Sequence, residues 1–279
     1  MGYIDHIRAC NNHDLSRFVS FQGPAGQSIG WVRRDNLALL SEFHDVFDFT
    51  QDVLRLKKVD DITVHMAQVT QALQDKKQIN GWRGELYAVS PRFGEEPLFL
   101  IERAATPLFG IRAYGVHING FVRDKGQIKM WIAKRAADRM VCPDMWDNMV
   151  AGGQPAGLSL MGNIIKECGE EAGIPEDLAR QAQSVGTVSY MMETDGGLKP
   201  DVMFCYDLEV PKEFVPNNTD GEVASFHLMG VEEVADIVKN TFDFKFNCNL
   251  VIIDFLIRHG VLNPDEIREY EELVRGLRC

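Results

Sequence analysis

Glu167, Glu170 and Glu171 stand at i, i+3 and i+4 in the stretch GLSLMGNIIKECGEEAGI. On an α-helix those positions are surface neighbours, so the three carboxylates point into roughly one volume. Like charges so close repel one another, and near the C-terminal end of a helix the macrodipole disfavours them as well. Helix stability alone does not select such a set, whereas a hard divalent cation relieves it. Magnesium takes oxygen ligands, keeps several waters and is commonly shared between protein carboxylates and substrate phosphates. Lys166, four residues before Glu170, is placed to orient that carboxylate. The glycines of AGGQPAG let the backbone at Gly152 approach a metal or phosphate, with a loop carbonyl as an extra ligand. For an isolated Glu-Glu-x-Gly the bland alternative is a solvated acidic helix face.

These carboxylates need a loop, a helix and a second loop. Ser159 is the expected N-cap and Gly173 the stop signal of a helix over Leu160–Ala172. Within it Leu160, Ile164, Ile165, Cys168 and Ala172 follow helical spacing and form an arc that can pack on a sheet. The sheet is predicted from YGVHINGFV and KMWIAKR, two apolar runs joined by the polar turn RDKGQ, a hairpin signature beginning at Tyr114. Further strands are expected at Ser184–Met191, Val202–Leu208 and Ser225–Met229. Strands interleaved with helices imply an α/β sandwich. An apolar helix is expected over Cys248–His259, closed by Gly260, with Asn263-Pro264 leading into a charged helix to about Leu277.

The preceding residues read as a smaller mixed unit, with helix-like segments at Leu37–Leu54 and Asp61–Gln74 and a turn-rich stretch ending in Leu98–Glu102. DKKQINGWRGE and SPRFGEEP read as connecting loops. The expected division is residues 1–112, then 113–262, then a C-terminal helix over 263–279.

A formal net charge of −12 argues against a bulk nucleic-acid binder, which needs a surplus of Lys and Arg on one face. A small anionic substrate remains compatible, because metal ions bridge acidic protein and phosphate. No run of about 18 apolar residues exists, so no membrane partner is expected. The start MGYIDHIRACNNHD has neither a signal peptide's apolar core nor a transit peptide's Arg/Ser-rich character, and a cytoplasmic location is expected. The six cysteines lack ligand spacing and read as free thiols.

Gly152, Lys166-Glu167-Cys168, Glu170-Glu171 and Gly173-Ile174 stand at the spacing of the Nudix box, which the stretch resembles. Leu158 replaces the first Glu of that box and Lys166 its Arg. The resemblance implies an α/β/α sandwich with a mixed sheet, preceded here by a smaller α+β N-terminal domain. It implies a Mg²⁺-dependent pyrophosphohydrolase, with Mn²⁺ as a substitute, in which Glu167, Glu170 and Glu171, with Gly152, hold the metal. ATPLFGIRAYGVHINGFV, WIAKRAADRMVCPDMWDNMVAGGQPAG and NCNLVIIDFLIRHG resemble the thiamine-pyrophosphokinase-associated Nudix subgroup, whose box commonly lacks the first Glu in the same way. That subgroup implies cleavage of thiamine pyrophosphate, or its oxidised and damaged analogues, to the monophosphate. Oxidised nucleoside diphosphates of the 8-oxo-dGDP type are the alternative substrate, and a non-catalytic Nudix-fold sensor the alternative function. The small-molecule diphosphate is the expected partner, and a homodimer is compatible with the chain.

The catalytic set expected from the resemblance is Glu167, Glu170 and, as general base in a late loop, Glu222, with Asp220 second. Lys134, Arg135 and Gln154 are expected to contact the substrate. Trp131, Trp146 and Tyr190 could stack a heteroaromatic ring or fill the core, and His117, inside an apolar strand, reads as a hydrogen-bonded core histidine.

Overall fold

A computed structural model describes all 279 residues, Met1–Cys279. The chain opens with α1 (Tyr3–Cys10) and continues into β1 (Phe18–Gln22), β2 (Ser28–Arg33), the short α2 (Leu37–Leu40), β3 (Phe47–Phe49), β4 (Val53–Leu56), α3 (Ile62–Asp75), β5 (Leu86–Val89) and β6 (Phe99–Glu102). The first sheet runs β2-β1-β4-β3, with β1 and β4 parallel and the other pairs antiparallel, while β5 and β6 form a separate hairpin. Asp61 caps α3 by accepting the Val64 N–H, as the apolar spacing after it requires. The helix expected over Leu37–Leu54 forms only at its start, as α2 and the 3-10 turn Ser41–Phe43, and gives way to β3 and β4. Phe47 is buried beside exposed Asp48, and Leu54 and Leu56 are buried either side of exposed Arg55. That two-residue alternation fits one buried sheet face, and it overrides the helix-like spacing.

The second part contains β7 (Tyr114–Asp124), β8 (Gln127–Arg135), β9 (Trp146–Asp147), β10 (Val150–Gly153), α4 (Leu160–Ala172), α5 (Glu176–Ala179), β11 (Gln183–Thr194), β12 (Gly197–Glu209), β13 (Val223–Gly230), α6 (Val231–Asn240), α7 (Phe246–Arg258) and α8 (Tyr270–Gly276). Its seven-stranded sheet runs β11-β12-β7-β8-β13, with β10 on β7 and β9 on β8. It is mixed, because β12 lies parallel to β7 among otherwise antiparallel neighbours. β7 is buried along most of its length because both faces are covered. Val116, Ile118 and Val122 share the core that includes Ile164, Cys168 and Ala172 of α4. Phe121 packs on the other side with Phe255 of α7. The result is the expected α/β/α sandwich.

Helix α1 shares the core of these later elements: Tyr3, Ile4 and Ile7 join Val188, Phe255, Leu273 and Leu277. The Tyr3 hydroxyl also donates to the Ala235 carbonyl at 3.1 Å. Residues 19–111 hold a separate apolar core built around Phe21, Phe47, Phe99 and Phe109. The C-terminal helix starts later than Asn263-Pro264 suggests, at Tyr270, and buries Leu273 against α1. No helix is long and apolar enough to cross a membrane.

Candidate active site

Strand β10 carries Gly152 and Gly153 at the sheet edge and turns through Gln154–Leu158 into α4. The Ser159 side chain accepts the Gly162 N–H at 3.0 Å, and Gly173 ends the helix at φ +61°, a left-handed conformation that glycine adopts without steric cost. Ile164, Cys168 and Ala172 are fully buried against the sheet, which rotates Glu167 and Glu171 towards β10. Glu171 accepts the Ala151 N–H at 2.9 Å. A β-carbon on Gly152 would stand 2.3 Å from the carboxyl carbon of Glu167, so glycine is what lets that carboxylate lie against the strand. Glu170 is half exposed, and the Lys166 ammonium sits between it and Glu167, 2.9 and 3.0 Å from their oxygens.

Burial raises the Glu167 carboxyl above the usual carboxylate range despite Lys166, with Glu170 and Glu85 adding to the effect. Glu171 is raised well above that range by burial and by the charges of Asp147, Glu167 and Glu222, against the opposing hydrogen bond from Ala151. The group is therefore short of positive charge. The side chains do not form a ready-made cage of three ligands. Oxygen donors only, a cation already bridging two of them and a glycine cradle beside Glu167 nevertheless fit a hard divalent ion.

On the other face of β10 lies a cleft of about 290 Å³, lined by Ala151, Gly152 and Gly153. Six cationic side chains line it, Arg83, Arg103, Arg135, Arg139, Lys199 and Lys245, against the single carboxylate Asp201. Asp147, buried behind, holds Arg135 at 2.7 Å and Lys245 at 3.5 Å. Burial alone would raise the Asp147 carboxyl, but Lys245 and Arg135 hold it down to about 2. His117 hydrogen-bonds Asn148 Oδ1 at 2.9 Å, and its ring is pushed down to about 4 by burial and by Lys245. It is a neutral, hydrogen-bonded core histidine. The buried Nε of Arg139 has no hydrogen-bond partner in the fold.

The residues expected to touch substrate are dispersed. Lys134 is not among the residues lining the cleft, and its ammonium lies 4.4 Å from the Trp146 ring centre, because alternation along β8 turns it to the face opposite Arg135. Arg135 lines the cleft, although its guanidinium is already bound to Asp147 and to the carbonyls of Val141 and Cys142. Gln154 braces the loop, donating to the Leu158 carbonyl and accepting from Asn163. Glu222 is ion-paired with Arg139, and Asp220 accepts the Glu222 N–H at 2.8 Å. Tyr190 lines the cleft and donates to Asp201 at 2.7 Å, Trp146 packs edge-on to His227, and Trp131 is buried in the α4 core. Sequence reasoning missed Arg83, Arg103, Arg139, Lys199 and Lys245. They come from separate segments with no shared spacing, and Arg83 lies in a stretch that reads as a connector.

Residues 2–113 match a family described as "Domain of unknown function (DUF4743)". Over 292 residues the chain is 45% identical to "Nudix hydrolase 20, chloroplastic" of Arabidopsis thaliana, covering 99% of this chain and 78% of that protein. It is 43% identical to "Nudix hydrolase 24, chloroplastic" of the same plant over 285 residues, again 99% of this chain and 78% of the relative. Among solved structures it is similar to a C. elegans Ap4A hydrolase binary complex, with 15% identity and a TM-score of 0.40 over 54% of this chain and 99% of that one. The cytoplasmic expectation is overturned, since both plant relatives carry "chloroplastic" in their names. The lack of a signal-like or transit-like start does not fix a compartment.

Proposed function

The chain belongs to the Nudix hydrolases, enzymes that act on diphosphate compounds and generally use divalent metal ions, and from that premise we propose that it hydrolyses thiamine pyrophosphate or its oxidised and damaged analogues with Mg²⁺. The products are the monophosphate and inorganic phosphate. One observation carries the reading: Gly152, against which the Glu167 carboxylate lies, also lines a cleft walled by six cations. A diphosphate lying there could meet both the cations and the carboxylate group. The unpartnered Nε–H of Arg139 supports an anionic occupant, and Tyr114, partly exposed on the cleft wall, offers aromatic surface for a heterocycle. We also propose that residues 1–112, 113–262 and 263–279 are the working divisions of the chain, with α1 docked on the second.

Glu167, Glu170 and Glu171, with the Gly152 carbonyl, would hold Mg²⁺, which when bound offsets diphosphate charge and lowers the pKa of an attacking water. Lys166 orients Glu167 and Glu170 through its two contacts. Glu222 is the proposed proton acceptor for that water, its carboxylate positioned by Arg139 on the cleft wall. The remaining cleft cations hold the diphosphate oxygens, and the half of the phosphoanhydride bound to the heterocycle leaves as the monophosphate.

Phosphate release should be measured with Mg²⁺ on oxythiamine pyrophosphate, thiamine pyrophosphate and 8-oxo-dGDP. Turnover of a thiamine compound with the highest kcat/KM is expected. Cleavage of 8-oxo-dGDP alone would move the substrate to the nucleotides, and tight binding without product from any of them would leave a sensor.

A further inference from the structure

The β5–β6 hairpin is fitted to the box itself. A β-carbon on Gly153 would stand 1.8 Å from the Tyr87 hydroxyl and 3.4 Å from the Arg103 guanidinium carbon. In the loop that follows, the Ala156 N–H donates to the Leu86 carbonyl at 2.8 Å, so backbone of the box loop is bonded directly to β5. The Arg103 guanidinium packs over the Tyr87 ring at 5.8 Å and pairs with Glu85 at 2.9 Å, close enough to Glu167 for the two charges to interact. Arg83 reaches the same cleft from the loop before β5 and makes no ion pair within the fold. One buried carboxylate anchors both segments, as Glu102 Oε1 accepts the Arg83 N–H at 3.0 Å and the Ala104 N–H at 3.2 Å.

A unit that served only as an external interaction surface would have no reason to direct two arginines into the cleft behind the box. Resting on the hydrolase reading above, we infer that the N-terminal unit supplies one wall of the substrate site, with Arg83 and Arg103 binding the phosphate oxygens of a diphosphate. A guanidinium matches phosphate with paired, charge-assisted N–H donors. Glu102 is then a positioning residue: it fixes the backbone on which both arginines stand. The Gly153 contact explains why the sheet edge bears no side chain on this face, since any would push the hairpin, and Arg103 with it, away from β10.

The test is calorimetric titration of the full chain with inorganic pyrophosphate in EDTA, where no metal-dependent cleavage competes. The proteins are wild type, Arg83→Ala, Arg103→Ala and, as a control on the same unit, Arg34→Ala, whose exposed side chain pairs with Asp52. Loss of one charge-assisted contact predicts Kd raised by about tenfold or more for each cleft variant and no change for the control. With a hydrolysed diphosphate, KM should rise in the same two variants while kcat stays within about twofold. Arg83 has no side-chain partner to lose, so its variant remains informative should Arg103→Ala fail to fold. Pyrophosphate binding unchanged in Arg83→Ala, or absent from wild type, would overturn the inference. Wild-type KM in both variants, with cleavage retained, would sink it while leaving the hydrolase reading intact. Weakened pyrophosphate binding in a protein that cleaves none of the three diphosphates would do the reverse.

Discussion

The carboxyl carbon of Glu167 lies 2.3 Å from the point where a β-carbon on Gly152 would stand. Alanine at 152 therefore meets the far end of a side chain, which can swing aside, so the fold should survive with a small change in Tm. The carboxylate cannot stay where it is. A displacement of about an ångström in a catalytic group can cost on the order of 100-fold in rate, and Gly152→Ala should lose turnover on that scale. Parallel measurement of Tm and kcat checks it, and wild-type kcat in the variant would refute the placement of Glu167 against the strand.

Glu170 is half exposed and touches only Lys166 among charged groups. Glu170→Gln should leave urea stability within about 0.5 kcal/mol, as for other surface substitutions, while removing an ionised metal ligand. Turnover should fall by on the order of 100-fold or more, comparable with the loss of one transition-state electrostatic contact. Adding Mg²⁺ up to tens of millimolar separates a loss of affinity, which it restores, from a loss of chemistry. Unchanged turnover at ordinary Mg²⁺ would remove Glu170 from the metal set.

The parts that could be read before the structure were those with local causes. Ser159, Gly173 and the Ile164–Cys168–Ala172 stripe fix α4 within a few turns of chain, and the apolar runs either side of RDKGQ fix the β7–β8 hairpin. What escaped depended on distance. β3 and β4 are three and four residues long, too short for their alternation to outweigh helix-like spacing, and they are stable only because β1 and α3 close over them. The cationic cleft joins Arg83, Arg139 and Lys245 through tertiary packing alone, so no spacing could announce it. Lys134 and Arg135 were adjacent in the chain and opposite in the sheet, a consequence of strand pleat that a motif reading does not weigh.

His117 supplies a pH dependence of stability. Its ring is held near a pKa of about 4 in the folded chain against an ordinary value of 6.5, so the unfolded chain binds the proton first as pH falls. The stabilisation is complete above pH 6.5 and is lost between there and about 4, an effect on the order of 3 kcal/mol. Urea unfolding at pH 7 and pH 5 should show wild type weakening more than His117→Gln, whose amide can still bond Asn148. Equal pH dependence in the two proteins would show that His117 is not the buried neutral base described here.

Asp147 holds the charges behind the cleft. It is almost fully buried, accepts from Arg135 at 2.7 Å, lies 3.5 Å from Lys245 and also receives the Cys248 thiol at 2.6 Å. Asp147→Ala strands two cations in the interior, which by comparison with other broken buried pairs should cost about 3 to 5 kcal/mol. The cost falls unevenly: Arg135 keeps the carbonyls of Val141 and Cys142, whereas Lys245 has no other ion pair. The double variant Asp147→Ala with Lys245→Met should therefore recover part of the loss, since removing the second charge removes its desolvation penalty as well. A double variant no more stable than Asp147→Ala in urea would show that the penalty lies with Arg135 or with the polar seam around Asn148.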